Sequence, residues 1–594
     1  MKKIKKRFVA LGLIAAMLLS LGGCSSGSGN GLSGSPESSP QGSLESQAEQ
    51  NGGGESRDGL EWLNTEGGMP IVKEGTEKTL KIAYLVSDDR TGKDEDTWAY
   101  KYIVNEMNIN VECIPFTDEN KDEFISLTFA GGDLPDIIIG AGLSADQIVK
   151  FGEVEGQIID MSSYLNDTYM PNVTELFQNN PELKDVVTNT AGKIYSLGYF
   201  ANPKERGYIF RAFLNYDWLE ECSLEVPATL EDFLAAMRTF KEKGLCDYPI
   251  GGSYACETPF TYLLNAFGYI GEYNKIGLRN GKVVLPMADR EAFGEYLKLM
   301  NQCYEEGLIH PDFYTMDATT TKAVLAADAG LITQAPFVYT SNYTQYWSAL
   351  PLTSEWNNTA SIWSSGYATA GNVLITSSCS DPELAAKFID YFYTMDQDAG
   401  YRLFINGPSV DQPELYYDVV TTGWSVEDNK IVINDYENNK DKWENTSAYQ
   451  RKVIQLWANS KLGADSWGWD SNSPSYLGEE DWSKYEDSSV LRKSNPVVSE
   501  NVEKCFRVAM QTVMSKYRTD EVFPAYAYLN ESDSMEMSTI KTALDEYADQ
   551  EIAKFVTGAR EVSDEELNNY FVTMESLGAS EYVQTYADYY AAMK

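Results

Sequence analysis

The sequence predicts an α/β protein built in at least two lobes, with helices covering parallel sheet. Three observations lead there. At 594 residues the chain exceeds what one hydrophobic core usually supports, so it divides. Its first globular stretch reads strand, helix, strand, helix, strand, an order that yields a parallel sheet under helical cover. The third strand is a short all-apolar run closed by glycines, the pattern of a strand buried on both faces before a sharp turn.

Taken in order, Thr79 to Val86, "TLKIAYLV", is a β-branched apolar run and the first strand. "SDDRTGKDED" follows, and then a helix with Trp98, Tyr102, Ile103 and Met107 on one face and Asp94 and Asp96 as capping residues. "INVECIPF" is the second strand. "EFISLTFA" is the second helix, stopped by Gly131 and Gly132. "DLPDIIIGAG" supplies a Pro-Asp corner, the third strand and a tight exit. Ligands of such sheets bind beyond the carboxyl ends of the strands. Further along, Thr229 precedes a helix whose Phe233, Met237 and Phe240 face one way. Asp381 and Pro382 open another, with Leu384, Phe388, Ile389 and Phe392 as its buried stripe. Trp218 is expected in the core.

The amino terminus carries Lys2, Lys3, Lys5, Lys6 and Arg7 and then an uncharged run from Phe8 to Leu21. That run extends roughly 20 Å as a helix, too short for a hydrocarbon core of about 30 Å, and reads as a secretory signal. Leu21-Gly22-Gly23-Cys24 resembles the lipobox of bacterial lipoproteins, which implies cleavage after residue 23 and an acylated Cys24 as the membrane anchor. The alternative is an ordinary signal peptide beside a chance cysteine. Residues 24–57 are Gly, Ser, Gln, Asn and Glu with almost no apolar side chains, a flexible tether.

Composition limits the partners. The net charge is −42, and removing the five basic signal residues leaves the mature chain near −47, a field that repels nucleic acid and anionic lipid. Aromatic residues make up 12% of the chain, enough to furnish a stacking surface besides the core. With Cys24 acylated, Cys113, Cys222, Cys246, Cys256, Cys303, Cys379 and Cys505 remain, an odd number without finger-like spacing, which argues for buried thiols rather than a disulfide framework. A single histidine, His310, argues against a histidine-based metal centre or triad. The acidic run from Ser87 to Asp96 lacks the residue order of a calcium loop, so no metal and no cofactor is expected.

Five blocks in order, "LTFAGGDLPDIIIG", "TAGKIYSLGYF", "FLNYDWLEECSLEVPATLEDFLAAMRTFKEKG", "GNVLITSSCSDPELAAKFIDYFYTMDQDAGYRLFINGP" and "LDEYADQEIAKFVTGAREVSDEELNNYFVTMESLGASEYVQTYADYY", resemble family 1 extracellular solute-binding proteins. Size, tether and carboxyl terminus are most similar to the Gram-positive subgroup that binds oligosaccharides. The resemblance implies a bilobal periplasmic-binding-protein-like fold of two parallel-sheet lobes joined by a multi-crossing hinge. It places residues 79–200 in the N-lobe, 213–360 in the C-lobe and 377–594 in both, with crossings at Leu197–Ala212 and Ser361–Thr376. It further implies a monomer that takes an oligosaccharide and delivers it to the permease subunits of an ABC transporter, with no catalysis of its own.

A sugar presents hydroxyls in the ring plane and an apolar face, so its site combines polar side chains with aromatic platforms. By resemblance, Asp88, Asp89 and Arg90 leave the first strand at the crevice, and Gly140 and Gly142 follow the third. Glu257 is the second lobe's carboxylate, and Phe337 and Tyr339 are its platforms. Trp363 and Tyr367 lie on the second crossing, and Trp467 and Trp469, two apart, share a face if extended. Two other readings stand beside this one. A peptide-binding or sensor lipoprotein is one; the other is a cell-surface glycoside hydrolase, which needs two carboxylates roughly 5–10 Å apart.

Overall fold

The computed structural model describes residues 59–87, 90–200, 212–256, 258–363, 368–396, 398–427, 430–458, 461–464 and 515–593. The signal, Cys24, the tether, Asp88, Asp89, Glu257, Tyr367, Trp467, Trp469 and Cys505 lie outside the described residues.

Fourteen strands are found among the described residues: β1 Thr79–Leu85, β2 Asn110–Phe116, β3 Ile137–Ile139, β4 Tyr199–Phe200, β5 Phe213–Asn215, β6 Tyr269–Ile270, β7 Gly277–Arg279, β8 Lys282–Val284, β9 Leu331–Ile332, β10 Tyr346–Ser348, β11 Val373–Ile375, β12 Trp424–Glu427, β13 Lys430–Ile433 and β14 Gly463–Ala464. Two separate apolar cores form around them. The first takes residues up to Phe200 and again from Ala368 to Ala464, and the second takes Ala212 to Trp363 and most of the chain after Ala527. The chain therefore changes core between Phe200 and Ala212 and between Trp363 and Ala368.

The first core wraps a sheet of order β11-β3-β1-β2, in which β1 pairs parallel with β2 and β3. Helix Trp98–Asn105 covers it and buries Trp98, Tyr102 and Ile103. Its cap is Thr97, whose hydroxyl accepts from the Tyr100 N–H, rather than Asp94 or Asp96, which lie in a preceding 3-10 turn. Thr97 is the residue whose extended backbone aims a side-chain oxygen at the free amides of the first turn. Helix Lys121–Gly131 stops at Gly132, whose φ of 72° suits a residue without a Cβ. Asp381 precedes helix Pro382–Asp390 without capping it, and instead accepts from Lys78 Nζ at 2.8 Å.

In the second core the sheet has order β10-β5-β9, and β5 runs antiparallel to both neighbours. The parallel sense expected of this lobe survives at the bridge between Ile250 and Leu331. The cause lies in the connectivity. β5 enters directly after the first change of core, so it runs away from that edge while β9 and β10 run toward it. β11 does the same in the first core: it follows the second change of core and pairs antiparallel with β3. Helices Leu230–Glu242, capped by Thr229, and Phe293–Glu305 cover this lobe, and the helices Glu531–Val556, Asp564–Ser576 and Ala579–Met593 complete it. Trp218 is half-buried with its ring against Phe240.

A further segment runs along the boundary. Ile362 N–H donates to the Tyr517 carbonyl and Thr519 N–H to the Ile362 carbonyl, both at 2.8 Å. Tyr528 then belongs to the first core while its neighbours Ala527 and Leu529 belong to the second, the alternation of an extended chain between two apolar masses.

Candidate ligand crevice

The registers of β5 and β11 locate the crevice. Val373, at the start of β11, pairs with Ile139 at the end of β3, and Phe213, at the start of β5, pairs with Ile332 and Ser348 at the ends of β9 and β10. Each strand that enters from a change of core thus begins where its neighbours end. The carboxyl ends of β1–β3 and of β9 and β10 therefore lie on the edges nearest the crossings, where ligands of α/β sheets bind.

At the first edge, the segment after Ile454 lies across the end of β1. Ala458 N–H donates to the Leu85 carbonyl at 2.8 Å, and Arg90 Nη1 donates to the Leu456 carbonyl at 2.6 Å. Arg90 Nη2 meets Asp94 Oδ1 at 2.6 Å, with the guanidinium side chain 8% exposed. Arg90 lies just past the end of β1 and is engaged in tying two remote segments together. A small recess lies beside it, lined among others by Ser87, Arg90, Arg451, Gln455 and Trp457. The Trp457 ring is largely buried, stacked on Phe404 at 5.5 Å and edge-on to Phe392 at 5.1 Å. Gln455 is 3% exposed; its Nε2 donates to the Ile405 carbonyl at 3.4 Å, and its Oε1 has no partner among the described residues.

Gly140 and Gly142 follow β3 with φ of 90° and 65°. A Cβ at Gly140 would stand 2.5 Å from Leu85 Cβ, so this glycine lets two strand ends close on each other. Gly142 faces more open space, with Lys121 Nζ 3.8 Å from where a Cβ would be. Lys461 is half-buried close by; burial pushes its ammonium pKa down, and Lys121 reinforces this while Asp118 opposes it. Just past Gly142, Asp146 accepts from Ser534 Oγ at 3.0 Å, and burial raises its carboxyl pKa.

The second edge is aromatic. The turn after β9 exposes Phe337 and Val338, 38% and 51% accessible, while Tyr339 is half-buried against the second core. Asp328, at a φ of 66°, holds this turn by accepting from Thr340 Oγ1 and from Asn342 Nδ2 at 2.6 Å. Trp363 is 5% exposed and part of the second core, so the structure does not offer its face as a platform. Tyr254, which sequence reasoning passed over, is 36% exposed in the loop that follows Ile250. It packs on Tyr314 at 5.2 Å, and its hydroxyl is 3.0 Å from that of Tyr273, which donates to Asp549. Its signal in the sequence was its place in the stretch read for Glu257. Gln455 and Trp457 sit two apart in "QLWA", with no periodicity around them to single them out.

Among the described residues, no group of His, Cys, Asp and Glu is placed to hold a metal ion, and no helix is long and apolar enough to cross a membrane. Cys113, Cys222, Cys246, Cys303 and Cys379 are free thiols, and burial pushes Cys246, Cys303 and Cys379 up to about 12. His310 Nδ1 accepts from the Asp312 N–H, a local turn contact.

No protein-family model matches the chain. A fructooligosaccharide ABC transporter substrate-binding protein, FusA of Streptococcus pneumoniae, is 28% identical over 256 residues, which cover 40% of this chain and 46% of FusA. Lipoprotein LipO of Bacillus subtilis is 26% identical over 267 residues, 43% of this chain and 50% of LipO. The chain thus spans about half the length of the curated relatives it matches. Among solved structures, an EF-hand mutant of FusA in complex with fructo-nystose superposes with a TM-score of 0.67 at 20% identity, over 87% of this chain and all of that one. The chain has the α/β fold of the bilobal solute-binding proteins, and its relatives in sequence include the substrate-binding protein of a sugar ABC transporter.

Proposed function

We propose that this protein captures a neutral oligosaccharide between its two lobes and delivers it to the permease subunits of an ABC transporter, held at the outer face of the cell membrane by acyl chains on Cys24. The observation that carries this reading is that both strand edges nearest the crossings carry groups suited to a sugar, polar side chains at one and partly exposed rings at the other, in a chain whose relative FusA is a fructooligosaccharide ABC transporter substrate-binding protein. Polar groups take the hydroxyls of a sugar and rings take its apolar face, and closing the lobes removes water from both. Asp88, Asp89, Arg90, Glu257, Phe337 and Tyr339 are assigned to this crevice, with Gly142 leaving room beside Lys121. Tyr367, Trp467 and Trp469 are assigned to it as further platforms. The protein acts as a monomer, without a cofactor and without catalysis.

Thermal shift against fructo-nystose, other neutral oligosaccharides, peptides and oligouronates tests the reading. A ligand at 100 times its Kd adds about 2.7 kcal/mol to the native state, a rise in Tm of several degrees. Stabilisation by a neutral oligosaccharide is expected. Stabilisation by peptides alone, or slow hydrolysis of the sugar, overturns the proposal.

A further inference from the structure

We infer that Asp549, on the helix Glu531–Val556, acts through Tyr273 to hold Tyr254 as an acceptor for ligand hydroxyls at the second edge, a positioning role that rests on the oligosaccharide reading above. Ile250 bridges Leu331 in parallel sense, so the loop that leaves this strand starts from the same edge as the carboxyl end of β9. Tyr254 lies in that loop, its N–H donating to the Phe313 carbonyl at 2.9 Å. Its ring packs on Tyr314 at 5.2 Å and on Phe260 at 6.1 Å, and 36% of the residue remains exposed.

The order of donors fixes the sense of the contact. The Tyr254 hydroxyl lies 3.0 Å from that of Tyr273, and Tyr273 donates to Asp549 Oδ1 at 2.9 Å. A carboxylate only accepts, so the single Tyr273 hydrogen is committed to Asp549. The contact between the two hydroxyls is then filled by the hydrogen of Tyr254. Burial raises the pKa of both phenols, so both hydrogens are in place at neutral pH. Towards a ligand the Tyr254 oxygen can therefore only accept. A sugar hydroxyl supplies the hydrogen it takes; a ligand carboxylate has none to give, and meets the charge of Asp549 behind the two phenols. The helix that carries Asp549 is itself held in both lobes. Ser534, near its start, donates to Asp146 just past Gly142, while Leu544, Ala548 and Ile552 bury in the second core. Ser534 and Asp549 stand roughly 22 Å apart along the axis, so one helix ties the exit of β3 to the loop of Tyr254.

Isothermal titration of the full-length protein tests the relay, with the neutral oligosaccharide that raises Tm most in the screen above as the probe. Tyr254→Phe keeps the ring and removes the acceptor, so its Kd is expected to weaken fivefold or more while Tm without ligand stays within about 2 °C of the wild type. Asp549→Ala, which frees the Tyr273 hydrogen, is expected to weaken the Kd threefold or more. Asp549→Asn keeps an acceptor oxygen for Tyr273 and is expected to stay within threefold of the wild type. The double variant Tyr254→Phe/Asp549→Ala separates positioning from a general structural role: its Kd is expected within twofold of Tyr254→Phe alone, because Asp549 acts only through the hydroxyl already removed. Should Tyr254→Phe not fold, Tyr273→Phe carries the test, with a Kd at least threefold weaker expected. A Kd for Tyr254→Phe, or for Tyr273→Phe in its place, within twofold of the wild type overturns the inference and leaves the oligosaccharide reading intact, as does a double variant in which the two losses multiply. A wild type that binds no neutral oligosaccharide overturns both.

Discussion

The two edges of the crevice are built on opposite terms. At the end of β1 the groups are buried and cross-linked: Arg90 is bound to Asp94 and Leu456, Trp457 is wedged among Phe392 and Phe404, and Gln455 is buried. Beyond β9 a 3-10 turn, held at its base by Asp328, leaves Phe337 and Val338 partly exposed. The first edge is already packed. The second has apolar area still to bury. The contrast separates an edge whose groups are already packed from one that still exposes apolar area.

The sharpest way to break that contrast is at Trp363, which sequence reasoning placed in the crevice and the structure places in the second core. Trp363→Ala is expected to lower stability in urea unfolding by about 3–5 kcal/mol, the range for truncating a large core ring. Unchanged stability with lost sugar affinity would return it to the crevice. Next is Arg90→Ala, expected to cost about 2 kcal/mol: the ion pair is partly exposed, which discounts it, but the Leu456 carbonyl is also released. Arg90→Lys should not restore it, because one ammonium cannot reach both partners as a planar fork does.

The third change falls on the second edge. Phe337→Ala is expected to weaken binding of whichever neutral oligosaccharide stabilises the protein by about 1.4 kcal/mol, roughly tenfold, with stability unchanged within about 0.5 kcal/mol. A loss of stability without a loss of affinity would make the exposed ring part of the fold and erase the contrast. The smallest effect is a control in the frame of the first lobe. Burial pushes the carboxyl pKa of Asp390 up to about 7, against N–H donors from Val173 and Asn172 and against the nearby Lys387. Because its folded pKa is raised, its contribution is full at low pH and is lost as pH rises through about 7. The stability difference between wild type and Asp390→Asn should therefore shrink from pH 4 to pH 8. A pH-independent difference would show that the N–H donors outweigh burial.

Much of the first lobe could be read from sequence because its signals are local. Three apolar runs, a Gly-Gly stop and a Pro-Asp corner fix β1, β2, β3 and the helix between the last two, each within a few residues of where it lies. The second lobe's strands are two or three residues long, too short to show a period, and their antiparallel sense follows from where β5 enters rather than from any residue within it. The Asp94 and Asp96 caps failed for a related reason: three acidic residues precede the helix, and only backbone geometry selects Thr97. Around the candidate crevice, the positions of Arg90 and the β3 glycines were legible because they follow strand ends. The segment from Gln455 to Ala458 was not, since it reaches the end of β1 only through the bonds of Leu456 to Arg90 and of Ala458 to Leu85, several hundred residues away in sequence.

Small-angle X-ray scattering of the protein with and without a saturating neutral oligosaccharide, chosen as the one that raises its Tm, tests most directly whether the two edges close on a sugar. Rigid-body closure about the crossings is expected to lower the radius of gyration on binding, and to do so in Phe337→Ala as well once that variant is saturated. Tight binding with an unchanged scattering curve would contradict the account, because the ligand would then be held without bringing the two edges together.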